Sequence, residues 1–477
     1  MKSLNRLRRA LIGAALCVSA CGDGEGDTSG GAGAMNGSTF PEPEVAGTPE
    51  TDALAEAPAQ CGQPAYAWLK SADLGRVTAH QAQEVYTKSL LETLLLASGI
   101  SAPLTLKYDV ETHLVTYVTQ DRGKAIEATA LVAWPSNVPA EAEALPALVV
   151  LHGTSGFKDG CGPTADASLS PIAGAIASSG YLVVVPDYIG LKATTPPTGF
   201  LHPYLVGQAT AIASLDAVRA LGRLPAEIRT GGARPGSKVV VVGGSQGGHA
   251  ALWLDRLAPY YARELTLAGV AATVPPADLL GQASLALTTL RESTANIIAF
   301  YGAAASWYGA EDKLAEAFVP PLDKDVPAAL GASCDPGDLL DGKQALTDLF
   351  QPEILAAASG GTLSGFGPWG CMAAENGLTT TSVARINAKS GSYGVLFVTG
   401  ENDMLVDTPN ERKAYQALCE AGMPLQYLEC AGASHTDTTL WALPTILKFA
   451  EARLAGEAFA PSCEVSAPVL CEGTPPP

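Results

Sequence analysis

Two spacings of apolar residues alternate along most of this chain. "HLVTYVTQD" and "AIEATALVAWP" are rich in β-branched residues, and the second is stopped by Pro135, so they read as antiparallel strands. After them strands and helices take turns. "ALVVLHG" and "YLVVVPDY" are continuous apolar runs, with the helical "SPIAGAIASSG" between them. "QATAIASLDAVRALGRL" is a helix, "KVVVVGG" a strand, "HAALWLDRLAPYY" a helix and "LTLAGVAATVP" a strand. Near the C-terminus "YGVLFVTG", "NERKAYQALCEAG", "PLQYLECAG" and "LWALPTILKFAEARLAG" continue the alternation. Continuous apolar strands separated by helices predict a mostly parallel sheet covered by helices on both faces.

The rhythm breaks between Ala277 and Thr380. That stretch of roughly a hundred residues has a helical pattern and is too long for a plain connection. It carries Phe300, Tyr301, Trp307, Tyr308, Phe318, Phe350, Phe366 and Trp369. A helical lid or cap over 278–380, inserted between two sheet strands, is the expectation, with part of these aromatics filling its own core.

Composition changes the picture mainly at the N-terminus. "MKSLNRLRR" is a basic leader and "ALIGAALCVSA" an apolar stretch too short to span a bilayer. The sequence "VSAC" resembles a bacterial lipoprotein signal, with Cys21 as the lipidated residue and 1–21 as the signal peptide. An ordinary secretory signal cut near Cys21 is the alternative; either places the protein outside the cytoplasm, as an envelope lipoprotein or as a secreted protein. Residues 22–60 are rich in Gly, Pro, Thr and acids, and predict a disordered linker to a domain over 61–477. About 40 such residues would hold that domain on the order of 35 Å from its anchor.

The formal charge is −19, and it falls to −23 once Lys2, Arg6, Arg8 and Arg9 of the leader are set aside. Such a surface repels phosphates, which excludes nucleic acid as a partner. Beyond Cys17 and Cys21 there are eight cysteines: Cys61, Cys161, Cys334, Cys371, Cys419, Cys430, Cys463 and Cys471. None forms a C-x-x-C pair, so a structural zinc or a dithiol redox site is not expected. An even number in an oxidising compartment predicts four disulfides; about 105 pairings are possible, and Cys463–Cys471 would pin the Pro-rich tail.

Candidate chemistry gathers at Ser245. Gly243, Gly244, Gln246, Gly247 and Gly248 surround this one hydroxyl, between the four-valine strand and a helix. A G-x-S-x-G match arises easily by chance in a chain with 50 glycines. Its position at a strand-to-helix junction is the informative part, because a nucleophile elbow needs a strained turn that leaves no room for neighbouring side chains. A serine hydroxyl also needs a base, and in this arrangement the acid and then the histidine follow it in the chain. Of the six histidines (His80, His113, His152, His202, His249 and His435), only His249 and His435 do so. His249 lies one helical turn past the serine, where it is expected to pack against a neighbouring element. His435 follows a strand and a short loop, and is the expected base.

The acid should leave the preceding strand, where Glu401, Asp403 and Asp407 are available. Asp407 sits at a helix start, with Thr408 able to cap, Pro409 suited to the first position and Glu411 closing a capping box, so helix-start charge explains it. Asp403 has no such explanation and is the expected partner of His435. For the oxyanion hole the backbone N–H of Gln246 is expected as one donor. The second should come from "HGTSG" after the strand "ALVVL", with Thr154 first and Gly153 next.

These residues resemble the secretory lipase family of α/β-hydrolases, the fungal lipase-A-like enzymes and their bacterial relatives. "HGTSGFKDGCGP", "GYLVVVPDYIGL", "SLDAVRAL", "APYYAREL", "GENDMLVD" and "GASH" carry the resemblance, which spans about His113 to Gly456. It implies an α/β-hydrolase fold, a helical lid after "GVAATVP", disulfides, no cofactor or metal, and hydrolysis of small-molecule or lipid carboxylic esters. Ser245, Asp403 and His435 match the family's triad positions. Cys161 resembles a family cysteine bonded into the lid region, with Cys334 as its implied partner. The expected function is therefore an exported serine esterase or lipase. A serine peptidase on the same triad, or a non-catalytic surface lipoprotein binding a hydrophobic ligand, are the alternatives.

Overall fold

The computed structural model describes residues 41–49, 61, 66–98, 104–165, 169–386 and 391–475. The leader and Cys21 lie outside them. Nine strands form one sheet: β1 (Val77–Tyr86), β2 (Val110–Asp121), β3 (Lys124–Pro135), β4 (Leu145–Leu151), β5 (Leu182–Pro186), β6 (Pro235–Gly244), β7 (Thr266–Thr273), β8 (Gly394–Gly400) and β9 (Leu425–Cys430). Their order across the sheet is β1-β2-β3-β5-β4-β6-β7-β8-β9. The first three pairings are antiparallel and the remainder, from β5 to β9, are parallel. The apolar runs β5 and β8 are buried along their full length, as strands covered on both faces must be. β1, "VTAHQAQEVY", has no sequence signal because it is an edge strand exposed over most of its length.

The helices are α1 (Lys88–Ser98), α2 (Ser170–Ser178), α3 (Gly207–Leu221), α4 (Gln246–Tyr261), α5 (Leu279–Ala286), α6 (Ser293–Tyr308), α7 (Leu314–Ala317), α8 (Leu322–Ala332), α9 (Pro352–Ser359), α10 (Gly367–Asn376), α11 (Thr408–Glu420) and α12 (His435–Leu454). α5 to α10 make up the insertion between β7 and β8. Its core buries Phe300, Tyr301, Trp307, Phe318, Phe350 and Trp369.

Charged residues in the elements flanking the elbow are buried as a network. Arg219 of α3 donates from Nη1 to Asp216 Oδ1 at 2.8 Å, from Nε to Glu264 Oε1 at 2.6 Å and from Nη2 to the Tyr261 carbonyl at 2.7 Å. Tyr261 returns its hydroxyl to Asp216 Oδ2 at 2.8 Å. Removing one partner would leave a buried charge uncompensated, at a cost of about 3–5 kcal/mol. The network therefore holds α3 against the end of α4. Residues 41–49, inside the stretch read as linker, lie along this same region. Gly47 N donates to the Tyr260 carbonyl at 3.4 Å, and Arg263 N to the Glu44 carbonyl at 3.3 Å.

Among the described residues there are four disulfides: Cys61–Cys371, Cys161–Cys334, Cys419–Cys463 and Cys430–Cys471. The expected Cys463–Cys471 pair is corrected. The tail runs beside β9, with Ser462 N donating to the Leu425 carbonyl and Val469 N to the Glu429 carbonyl. Cys463 and Cys471 are thus held at opposite ends of a strand, far beyond the reach of about 7 Å between Cα atoms that a disulfide tolerates. Each instead meets a cysteine of the element beside it. Cys161–Cys334 forms as the resemblance implied, and fastens the loop after β4 to the insertion.

Candidate active site

Ser245 sits between β6 and α4 with φ 56° and ψ −120°, a conformation that costs a side-chain-bearing residue about 1–3 kcal/mol. Its N–H donates to the Thr273 carbonyl at 2.9 Å, and its carbonyl accepts the first helical N–H, from His249, at 3.0 Å. The adjacent glycines are required by close approach. A Cβ on Gly247 would stand 2.0 Å from the Leu151 carbonyl oxygen, and one on Gly243 would stand 2.0 Å from that of Gly247. The end of β4 is thereby pressed against the elbow. The N–H groups in the first turn of α4 have no partner within the helix, so they are available at the serine.

The Gln246 side chain is fixed by a buried histidine. His202 Nδ1 bonds the Ile189 carbonyl at 2.9 Å, so it carries the proton, and His202 Nε2 accepts from Gln246 Nε2 at 2.7 Å. Burial holds His202 neutral, with its pKa pulled down to about 3. Across from it, the His152 ring stacks on Tyr188 at 4.3 Å, and Nδ1 bonds the Gly153 carbonyl at 2.7 Å. Burial lowers the His152 pKa to about 4, so this imidazole stays neutral and shapes the loop. A Cβ on the neighbouring Gly153 would lie 3.6 Å from Ser245 Cβ, which places the "HGT" loop directly over the serine.

His435 is the first residue of α12. Ser434 caps that helix, its side chain accepting from Asp437 N, and the Asp437 carboxylate completes a capping box. Asp403 lies in the turn after β8, and its two carboxylate oxygens have separate tasks. Oδ1 accepts the N–H groups of Leu405 and Val406, both at 2.9 Å, and Oδ2 accepts His435 Nδ1 at 2.7 Å. The other two acids are used elsewhere. Glu401 accepts from Gly432 N at 2.7 Å and so ties the acid turn to the histidine turn. Asp407 itself caps α11, accepting from Asn410 N at 3.1 Å. The expected Thr408 cap is corrected, because the Thr408 hydroxyl donates to the Gly400 carbonyl at 2.6 Å instead. Nor does Glu411 close a capping box: it is buried against the insertion, accepting from Ala277 N at 3.0 Å and Gln282 Nε2 at 2.8 Å.

Ser245 and His435 form no hydrogen bond among the described residues. The Ser245 turn and α12 are linked through Thr273, whose carbonyl holds Ser245 N and whose hydroxyl bonds Thr439 Oγ1 at 2.6 Å. Thr439 lies one turn beyond His435 on α12, so the start of that helix is held over the elbow. Thr273 and Thr439 carry no motif, and no sequence signal marks them. His249 packs as expected, with Nε2 against the Asn376 carbonyl at 2.7 Å. Asn376, at the end of α10, also accepts from Gly207 N of α3 at 3.0 Å and from Trp253 Nε1 of α4 at 3.0 Å, which clamps the insertion to both helices.

Residues 165–290, which include Ser245, match the family model described as secretory lipase. A comparison with curated proteins by sequence finds no match. Among solved structures, the ligand-bound rice cell wall degrading esterase LipA from Xanthomonas oryzae is similar at a TM-score of 0.61 and 20% identity, covering 80% of this chain and 97% of that one. A putative hydrolase from Legionella pneumophila superposes at 0.63 with 19% identity over 80% and 97% of the two chains. Candida antarctica lipase A in its closed state gives 0.58 and 17%, over 83% and 86%. The chain has the α/β-hydrolase fold, and its likeness to the secretory lipases supports a hydrolase of the lipase or esterase kind.

Proposed function

From its likeness to the secretory lipases, we propose that this protein is an exported serine hydrolase of carboxylic esters, with Ser245, His435 and Asp403 as its triad. The observation that carries the reading is the 2.7 Å bond between His435 Nδ1 and Asp403 Oδ2, on a helix held over the strained Ser245 turn. With Nδ1 protonated toward the carboxylate, His435 Nε2 has a free lone pair to act as a base. Ser245 Oγ attacks the ester carbonyl carbon as His435 takes its proton. The carbonyl oxygen gains the negative charge, and the N–H groups of Gln246 and Thr154 stabilise it. The tetrahedral adduct collapses to an acyl-serine as the alcohol leaves with the proton from His435. Water, deprotonated by the same imidazole, then releases the acid and restores Ser245.

Hydrolysis of p-nitrophenyl esters from acetate to palmitate, by the wild type and by Ser245→Ala, tests this reading. Turnover by the wild type and silence of the mutant support it, and the chain-length profile then separates esterase from lipase. Failure of the wild type on every ester, or full activity of Ser245→Ala, would overturn it. Anchoring through a lipid on Cys21 belongs to the same proposal. Metabolic palmitate labelling that is lost in Cys21→Ala supports the anchor, and an unlabelled, freely released wild type refutes it.

A further inference from the structure

Three polar side chains from three parts of the chain meet above the elbow. Thr154, in the loop after β4, has its Oγ1 2.7 Å from Tyr204 OH. The same phenol oxygen accepts from Nδ2 of Asn296, on α6 of the insertion, at 2.8 Å. Tyr204 is almost fully buried. Burial also raises its pKa, so the phenol keeps its proton.

The proton order in this relay follows from what each group can do. The Asn296 amide nitrogen can only donate, so it occupies the acceptor side of the Tyr204 oxygen. Tyr204 is buried and Thr154 Oγ1 is the one acceptor within reach of its proton among the described residues, so the phenol donates to Thr154. A hydroxyl that accepts keeps its own proton for another acceptor, and among the described residues Thr154 Oγ1 has no second partner. The preceding residue, Gly153, sits where a Cβ would touch Ser245 Cβ at 3.6 Å. The unspent donor is therefore carried by the residue after Gly153, in the loop that packs on the Ser245 turn.

We infer that the Thr154 hydroxyl donates a third hydrogen bond to the oxyanion, beside the two backbone N–H groups, and that Asn296 and Tyr204 fix its proton in that direction. The inference rests on the ester-hydrolase reading. Thr154 is the catalytic residue in it; Tyr204 and Asn296 are positioning residues, and they link a helix of the insertion to the transition state. A donor aimed before reaction at the place where charge develops costs no reorganisation when the charge appears.

The test compares Thr154→Val, which keeps the branched shape, with Thr154→Ser, which keeps the hydroxyl. Two readouts are used: kcat/KM on p-nitrophenyl butyrate, and inhibition by butylboronic acid. The boronic acid forms a bond from Ser245 Oγ to boron and places a boron-bound oxygen in the oxyanion position. Thr154→Val is expected to lose about 10- to 100-fold in both readouts, with a melting temperature lowered by a few degrees because the buried Tyr204 hydroxyl loses its acceptor, yet still folded at the assay temperature. Thr154→Ser should stay within about threefold of wild type. Asn296→Leu, remote from the reacting atoms, frees the Tyr204 proton and should lower both readouts together by several-fold. If Thr154→Val fails to fold, Thr154→Ala replaces it. Wild-type values in the valine variant, or equal losses in the serine and valine variants, would overturn the proposal. Activity surviving in Ser245→Ala would instead overturn the reading beneath it, so the two failures are distinct.

Discussion

Asp403 holds His435 with one carboxylate oxygen while the other is committed to the backbone. Oδ2 accepts His435 Nδ1 at 2.7 Å, and Oδ1 accepts the Leu405 and Val406 N–H groups at 2.9 Å. This division predicts how Asp403→Asn fails. Two backbone donors fix the amide oxygen in the Oδ1 position, so the amide NH₂ must face His435. The imidazole then accepts at Nδ1 and carries its proton on Nε2, the wrong tautomer for a base. At neutral pH kcat should fall by about 10³–10⁴-fold with KM little changed. Steady-state kinetics on a soluble ester checks this; a loss below tenfold would mean Asp403 does not set the tautomer.

Strain at Ser245 predicts a gain in stability at the expense of activity. With φ 56° and ψ −120°, glycine adopts the turn freely and alanine does not. Both Ser245→Gly and Ser245→Ala should be inactive. Only the glycine variant should be more stable, by roughly 1 kcal/mol after its own chain entropy is subtracted. Thermal unfolding of the pair decides it, and equal melting temperatures would show that the turn is unstrained.

The Cys161–Cys334 bond closes a sequence separation of 173 residues and fastens the insertion to the loop after β4. The double variant Cys161→Ser/Cys334→Ser should lose up to about 5 kcal/mol by the loop-entropy account. Calorimetry reads the loss. Ester hydrolysis should fall as well, because the loop after β4 is no longer held from the insertion side.

Glu411 joins α11 to the first residues of the insertion through Ala277 N and Gln282 Nε2. Burial, with the Asp278 charge adding to it, raises its pKa to about 8. Asp187, also buried, is raised to about 7. Both carboxyls therefore bind protons in the folded state that the unfolded chain has released above its ordinary carboxylate range. The stability they contribute is full below about pH 4 and declines as pH rises through 7 and 8. Melting temperature should fall across that window. Glu411→Gln should flatten the slope whatever its effect on absolute stability, and an unchanged slope would remove Glu411 from the cause.

Much of this protein is written in local pattern. The alternation from β2 to α12 is legible because buried parallel strands must be continuously apolar and their helices must be amphipathic or buried. The Ser245 turn is legible because close approach leaves only glycine at Gly243 and Gly247. His435 is singled out as a candidate base by chain order and Asp403 as its candidate partner by the lack of a helix-cap role, and the two are hydrogen-bonded in the fold.

Tertiary structure alone decided the remainder. β1 is an exposed edge, so no apolar period marks it. The pairing of Cys463 with Cys419, and of Cys471 with Cys430, depends on the tail lying along β9, a path no spacing encodes. Glu411 looks like a capping residue in the sequence, yet it is buried because the insertion packs on α11. Thr273 with Thr439, and Asn296 with Tyr204 and Thr154, are contacts between residues far apart in the chain. A local pattern fixes which face a residue presents, whereas the partner it meets is set by how the elements pack.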